Sequence, residues 1–330
     1  MRTAWLRASL AVLIVCSTLC STSRTARAQT KIRVGLPDFT SSSVPFEIAR
    51  QIGYFSQEAL DVEVIRMSCA VSVRALLAKS IDFDSCAGVK AVVSAVSQGI
   101  RMKIVMARFN RPLMDLVGSK EIQKISDLAG RIVGSGSQGS PAEAFLDELF
   151  TANGLVPQKD VKLLSVGTSS DRIAALYAGR VGATVLSPPW NLKVLDQGYR
   201  RIANIGESVP GYQGSLSILQ STADERKPML LAFTRAMLKA QNFYRTRKSE
   251  SIPLMMNFSR LESADLAQRV YDYIHPAMTS DGSLPETVVD AEIQRASRSL
   301  KLAKMPAPAD VFDFSYVREA SRGIPRVSAR

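Results

Sequence analysis

Apolar positions along residues 31–107 follow two spacings in turn. Runs rich in β-branched residues at 31–36, 62–65, 81–85 and 103–107 read as short strands, with helical spacing between them. Val89, Val92, Val93 and Val96 fall at i, i+3, i+4 and i+7, one face of a helix. Helices are also expected at 45–54, where Pro45 suits a first turn, and at 70–79. This order predicts a mostly parallel sheet covered by helices.

After an extended segment at 113–117 the alternation repeats. Strands are expected at 131–133, 161–166, 183–186 and 201–205, and helices at 141–152, 169–178 and 190–197. Asn153-Gly154, Gly179 and Gly198 stand where those helices should stop. A strand at 216–219 then returns toward the first series. Helices at 224–247, 249–258, 262–274 and 285–300 follow and are expected to pack on the first lobe. The Pro-rich stretch 306–309 reads as a loop into a frayed C-terminus. The pattern predicts an α/β fold of two lobes, with strands and helices at about 29–110 and 119–206 and the first lobe discontinuous in sequence.

The N-terminus departs from this pattern. Arg2 and Arg7 precede an apolar run at 10–20, about half the roughly 20 residues that a bilayer-spanning helix needs. Ala26-Arg27-Ala28 then supplies an A-x-A site, so residues 1–28 read as a secretory signal peptide cut after Ala28. Neither Cys16 nor Cys20 follows the small residue a lipoprotein site requires, so a free soluble exported protein is expected. The domain divisions are then 29–112 for the first part of lobe 1, 113–215 for lobe 2 with its crossovers, and 216–330 for the return to lobe 1.

Composition narrows the function classes. The chain has 330 residues, 42 Lys+Arg, 30 Asp+Glu and one His, with mean hydropathy near zero. Such a composition fits neither a disordered chain nor a polytopic membrane protein. Four Cys and one His argue against a zinc-cluster protein. Losing the four arginines of the leader leaves 38 bases against 30 acids, a net charge of +8. In an exported protein this excess favours solubility and the steering of anions over nucleic-acid binding.

Gly134-Ser135-Gly136-Ser137-Gln138-Gly139 fits G-x-G-x-x-G between a strand and a helix. The acid that a dinucleotide site needs at the end of the next strand is missing, since 161–166 carries no carboxylate. What survives is a backbone open to close approach at a helix N-terminus, which favours an anion. Against it, Ser140-Pro141-Ala142-Glu143 is a capping box that can satisfy the helix start by itself. Ser85-Cys86-Ala87-Gly88, Thr168-Ser169-Ser170-Asp171 and Asp38-Phe39-Thr40 are further polar strand-end loops. Ligands of open α/β sheets bind at that edge, and four such loops on two lobes are best explained by a cleft.

The stretch 45–64, P-F-E-I-A-R-Q-I-G-Y-F-S-Q-E-A-L-D-V-E-V, resembles the opening of periplasmic solute-binding proteins of nitrate/sulfonate/taurine-type ABC transporters. I-D-F at 81–83, I-S-D-L-A-G at 125–130, A-A-L-Y-A-G at 174–179 and V-L-S-P-P at 185–189 are similar to that family's later segments in order and spacing. The resemblance implies a periplasmic-binding-protein type II fold, two α/β lobes around a ligand cleft, with the helical C-terminal segment packed on lobe 1. It implies a monomer that binds a small polar or anionic solute and presents it to an ABC transporter permease, with no cofactor and no catalysis. Carried over, the ligand residues are Asp38, Phe39, Thr40, Ser85, Cys86 and Ala87 in lobe 1, and Gly139, Ser140, Thr168, Ser169, Ser187 and Trp190 in lobe 2. The expected pose seats an anionic group at Gly139-Ser140, with the rest of the molecule facing Phe39, Asp84 and Trp190.

Asp84, Gly182 and Ala59 depart from the family pattern, and Asp84 would set an extra carboxylate near the cleft. An enzyme on the same fold, similar to fungal thiamine-pyrimidine synthase, is the alternative. It would need clustered His and a Cys-rich iron motif, whereas His275 stands far from the cleft loops in sequence. Trp190 could flank a ligand or simply pack. Cys69 and Cys86 could form a disulfide, which export permits, or could be two small residues at the ligand edge. The obstacle to a bond is that the first strand should lie between theirs, stretching Cα–Cα past about 7 Å.

Overall fold

Along the chain, β1 (Thr30–Leu36), α1 (Val44–Gln51), α2 (Tyr54–Gln57), β2 (Leu60–Arg66), α3 (Cys69–Leu77), β3 (Phe83–Asp84), α4 (Val89–Ser97) and β4 (Met102–Phe109) form a first series. The structure is a computed structural model that describes residues 28–37, 40–138, 140–322 and 324. The export signal therefore falls on residues 1–27, outside the described residues, up to its last position.

A second series holds β5 (Asp115–Gly118), β6 (Ile132–Ser135), α5 (Pro141–Ala152), β7 (Lys162–Ser165), α6 (Ser169–Tyr177), β8 (Ala183–Leu186), α7 (Trp190–Asp196), β9 (Arg200–Asn204), α8 (Ile205–Ser208) and β10 (Gln213–Leu219). Helices complete the chain: α9 (Gln220–Glu225), α10 (Lys227–Thr246), α11 (Lys248–Ser259), α12 (Ala264–Ile274), α13 (Glu286–Ser299), α14 (Pro308–Val311) and α15 (Ser315–Ser321). Among the described residues no helix is long and apolar enough to cross a membrane.

Two five-stranded sheets result, ordered β2-β1-β3-β10-β4 and β7-β6-β8-β5-β9. They share one plan. Four strands run one way, and an antiparallel strand that the chain supplies by crossing from the other lobe lies between the third and fourth. The expected parallel run of β1 to β4 is present, and each sheet is mixed only because its crossing strand enters from the opposite direction. The expected return of 216–219 to the first lobe is β10, seated between β3 and β4.

The C-terminus is not frayed through residue 322. Phe312 bridges to Ile104 on the outer strand β4, and Asp313 N donates to the Ile104 carbonyl at 2.9 Å. Val311, Val317 and Ala320 are fully buried. Their apolar spacing was hidden by the surrounding Pro, Ala and Asp, and their packing covers an edge that would otherwise template strand addition.

Between the lobes, Asp115 opens β5 with a fully buried carboxylate. It accepts from Asn191 Nδ2 at 2.7 Å, Tyr273 Oη at 2.9 Å and Arg201 Nε at 3.0 Å. Burial pushes its pKa up, and Arg201 works against that shift. Tyr273 belongs to α12, so this network ties the C-terminal helices to the crossover.

Candidate functional site

Six of the parallel strands, three from each sheet, end on one cleft. Pro37, Ser68 and Ser85 lie just past β1, β2 and β3, and Gly136, Gly167 and Ser187 just past β6, β7 and β8; all six line it. Its volume is about 580 Å³, within the roughly 300–1,000 Å³ of small-molecule sites. Thr40, Ser85, Cys86, Ala87, Ser140, Thr168, Ser169 and Ser187 all line this cleft. Asp38, Phe39 and Gly139 are outside the described residues.

Two expectations fail here. Asp84 does not face the cleft: it is fully buried, accepting from the Ser72 hydroxyl and from Ala87 N at 2.7 Å. Its carboxylate folds the Ser85–Ala87 loop from beneath, as an internal cap. Trp190 is not among the lining residues either. Its ring packs against the small apolar cluster of Val117, Leu176 and Val194 and carries the Lys193 ammonium at 5.5 Å. His275 is also remote, bonded through Nε2 to the Arg245 carbonyl and stacked on Tyr271.

Cys69 and Cys86 form a disulfide with Cα atoms 5.0 Å apart. The expected obstacle does not arise. β1 does separate β2 from β3, but Cys69 is the first residue of α3 and the chain leaving β2 crosses over β1, where a Cβ on Gly35 would meet the Ser72 hydroxyl and the Met67 sulfur. The bond spans the strand ends above β1.

Burial raises the Asp84 pKa from 3.8 to about 6, even though Ser72 and backbone donors pull it down. The folded protein therefore binds this proton more tightly than the unfolded chain. Stability from this group is greatest below about pH 4 and falls as pH rises toward 6, by about 3 kcal/mol at ~1.4 kcal/mol per unit. In urea titrations at pH 4 to 7, Asp84→Asn should lack this component, so the gap between variant and wild type should change by about that amount. A gap independent of pH would show that Asp84 does not titrate in this window.

Sequence reasoning missed the cleft's cations. Arg108, on β4, is 3% exposed and lines the cleft. It donates to the Ser42 carbonyl at 2.7 Å and Ser85 Oγ at 3.0 Å, and its guanidinium stands 5.3 Å from the Phe46 ring centre. Among the described residues its Nε has no hydrogen-bond partner. Burial alone lowers its pKa, to about 10, so it stays charged at neutral pH. From the other lobe, Arg172 donates to the Gly167 carbonyl and to Ser169 Oγ, at 3.0 and 3.1 Å. Both had a signal in the sequence. Arg108 interrupts an otherwise apolar strand, and Arg172 puts a cation in the first turn of a helix, against the dipole.

Ser140 caps α5, its Oγ accepting from Glu143 N at a long 3.4 Å. Gly136 stands opposite because a Cβ there would lie 2.6 Å from Ser140 Oγ and 3.3 Å from Arg172 Nη1. Glycine, serine and arginine thus meet at one helix start. The next turns of α5 line the cleft through Ala144, Asp147, Glu148 and Thr151, opposite Glu292, Arg295 and Ser299 of α13.

Comparison with known proteins adds the following. The family model described as NMT1/THI5 like matches residues 40–250. No curated protein matches the sequence. A Bordetella bronchiseptica structure is 19% identical with a TM-score of 0.79, over 91% of this chain and 99% of that one. The alkanesulfonate-binding protein SsuA from Xanthomonas axonopodis, bound to MOPS, is 20% identical with a TM-score of 0.71, over 89% and 99%. The periplasmic nitrate-binding protein NrtA from Synechocystis is 15% identical with a TM-score of 0.72, over 90% and 89%. At these identities the likeness is one of fold, the two-lobed architecture of periplasmic binding proteins.

Proposed function

The chain belongs to the NMT1/THI5-like family, and on that premise we propose that it is the extracytoplasmic solute-binding component of an ABC importer. It holds a small anionic organic solute between its lobes and hands it to a membrane permease. The observation that carries this reading is Arg108, a buried cation beside the cleft with an unsatisfied donor. A buried charge without a counter-charge is costly, and an anion entering the cleft compensates it. The strand-end hydroxyls and Arg172 supply donors from both walls, and charge-assisted bonds of this kind contribute about 1.5–3 kcal/mol each. The fold resemblance to SsuA and NrtA, named for sulfonate and nitrate, supports the same class.

Native mass spectrometry of the protein purified from a periplasmic extract without dialysis tests the reading. The expected result is a mature chain beginning at Gln29 with an anionic solute that returns intact after incubation. Conversion of that solute would instead establish the enzyme alternative. No described cluster of His, Cys, Asp or Glu is arranged to hold a metal ion for such chemistry.

Ser140 separates a ligand seat from a plain cap. Ser140→Ala removes the cap in either case, at about 1 kcal/mol of stability. As a seat it should also weaken solute binding more than tenfold, about 1.4 kcal/mol. Calorimetric titration beside a melting curve reads both, and unchanged affinity at a lowered melting temperature would leave Ser140 as a cap alone.

A further inference from the structure

Beyond the strand ends the cleft continues as a groove between α5 of one lobe and α13 of the other. Two ion pairs close it across the lobes: Arg295 Nε to Glu148 at 3.0 Å and Lys90 Nζ to Glu143 at 3.8 Å. Arg295 also holds Glu292 at 2.8 Å and donates to the Pro210 carbonyl in the crossover. The volume of about 580 Å³ therefore belongs to lobes already in contact. That volume is of the size that holds organic molecules, larger than an inorganic oxyanion fills.

The groove's polar groups are unequal. Glu143, Glu148 and Glu292 each face a cation. Asp147 is half-buried and, among the described residues, its carboxylate has neither an ion pair nor a hydrogen bond, although Lys90 and Glu143 act on it with opposite sign. Tyr212, 5% exposed, lines the same region and sets its hydroxyl beside that of Ser215. The Ser215 hydroxyl donates to the Ala87 carbonyl and keeps its acceptor side toward Tyr212. Arg298 stands on the exposed side of the groove, where solvent and salt screen its charge. Asp147 follows Ser140 by seven residues on the same helix face, a rise of about 10 Å.

We infer that the solute is an extended organic anion whose far end carries an ammonium group, held in the α5–α13 groove with Asp147 as counter-charge and Tyr212 as a polar contact along its length. This rests on the solute-binding reading and gives its ligand a length and a second charge. The inorganic anions that would satisfy Arg108 alone leave Asp147 without a counter-charge.

The test is calorimetric titration of the mature protein with ω-aminoalkanoates from glycine to 8-aminooctanoate, each against the alkanoate lacking the amine, and with sodium nitrate and sodium sulfate. Affinity should rise with chain length to an optimum, and there the amine should tighten binding at least tenfold over its matched alkanoate. Asp147→Asn should abolish that difference and Asp147→Glu should keep most of it. Equal affinity for matched pairs, or nitrate or sulfate bound as tightly as any organic probe, would overturn the inference while leaving the binding reading intact. Binding of none of the probes also overturns it. An intact co-purified solute then keeps the solute-binding reading, and its absence removes that reading too.

Discussion

Replacing Arg108 by methionine should weaken binding of the cognate anion at least a hundredfold while leaving the ligand-free protein as stable as before, or more so. The two effects differ in sign because they draw on different parts of the residue's environment. In the empty protein the guanidinium is desolvated and, among the described residues, no carboxylate pairs with it; burial lowers its pKa to about 10. Methionine of similar volume, stacked between Phe46 and Phe109, removes that burden. It also removes the bonds to the Ser42 carbonyl and Ser85 Oγ, at about 1 kcal/mol each. These losses and the relieved desolvation are of similar size. With an anion present the balance changes, since the buried charge is then the strongest attraction available to it. A hundredfold loss corresponds to about 2.7 kcal/mol, the scale of one strong charge-assisted interaction. Melting curves with and without solute read both quantities. The variant should melt at or above wild type when empty and gain little on adding solute. A variant that melts far lower yet binds normally would make Arg108 a structural residue.

The architecture was largely legible in the sequence because hydrophobic period decides element type strongly where helices are long. The limits of α5 and β8 agree with the expected 141–152 and 183–186 to the residue. What was illegible depended on partners distant in the chain. The antiparallel entry of β5 and β10 leaves no mark on their own residues. Asp84 looked like a cleft carboxylate because it stands at the end of a strand, yet its partners Ser72 and Ala87 draw it inward. Trp190 sits at a strand end too, but Lys193 and the Val194 side of α7 give it a packed position. Strand-end position locates the loops of the site. Which side chains point into the cleft is set by the cross-chain bonds beneath. Arg108 shows the converse, since a charge in the run M-K-I-V-M-A-R-F was the clearest local conflict in the chain and marks the cleft floor.

Removing the disulfide should lower stability strongly and solute affinity only slightly. Cys69 and Cys86 are 17 residues apart, and closing such a loop stabilises by about 3 kcal/mol in the chain-entropy model. In a protein of this size that is a drop in melting temperature of roughly 6–12 °C. A Cys69→Ser/Cys86→Ser double variant measures it, and wild type denatured without reductant should take up no alkylating label. The smaller effect on affinity follows from how the Ser85–Ala87 loop is held. Ser85 Oγ accepts from Arg108, Ala87 N donates to Asp84, and the Ala87 carbonyl accepts from Ser215. Three anchors remain when the sulfur bond is gone, so the ligand-facing loop keeps its place and affinity should fall less than tenfold. A loss beyond a hundredfold in a variant that still melts cooperatively would mean that the disulfide, rather than the buried Asp84 and Arg108, shapes this wall of the cleft.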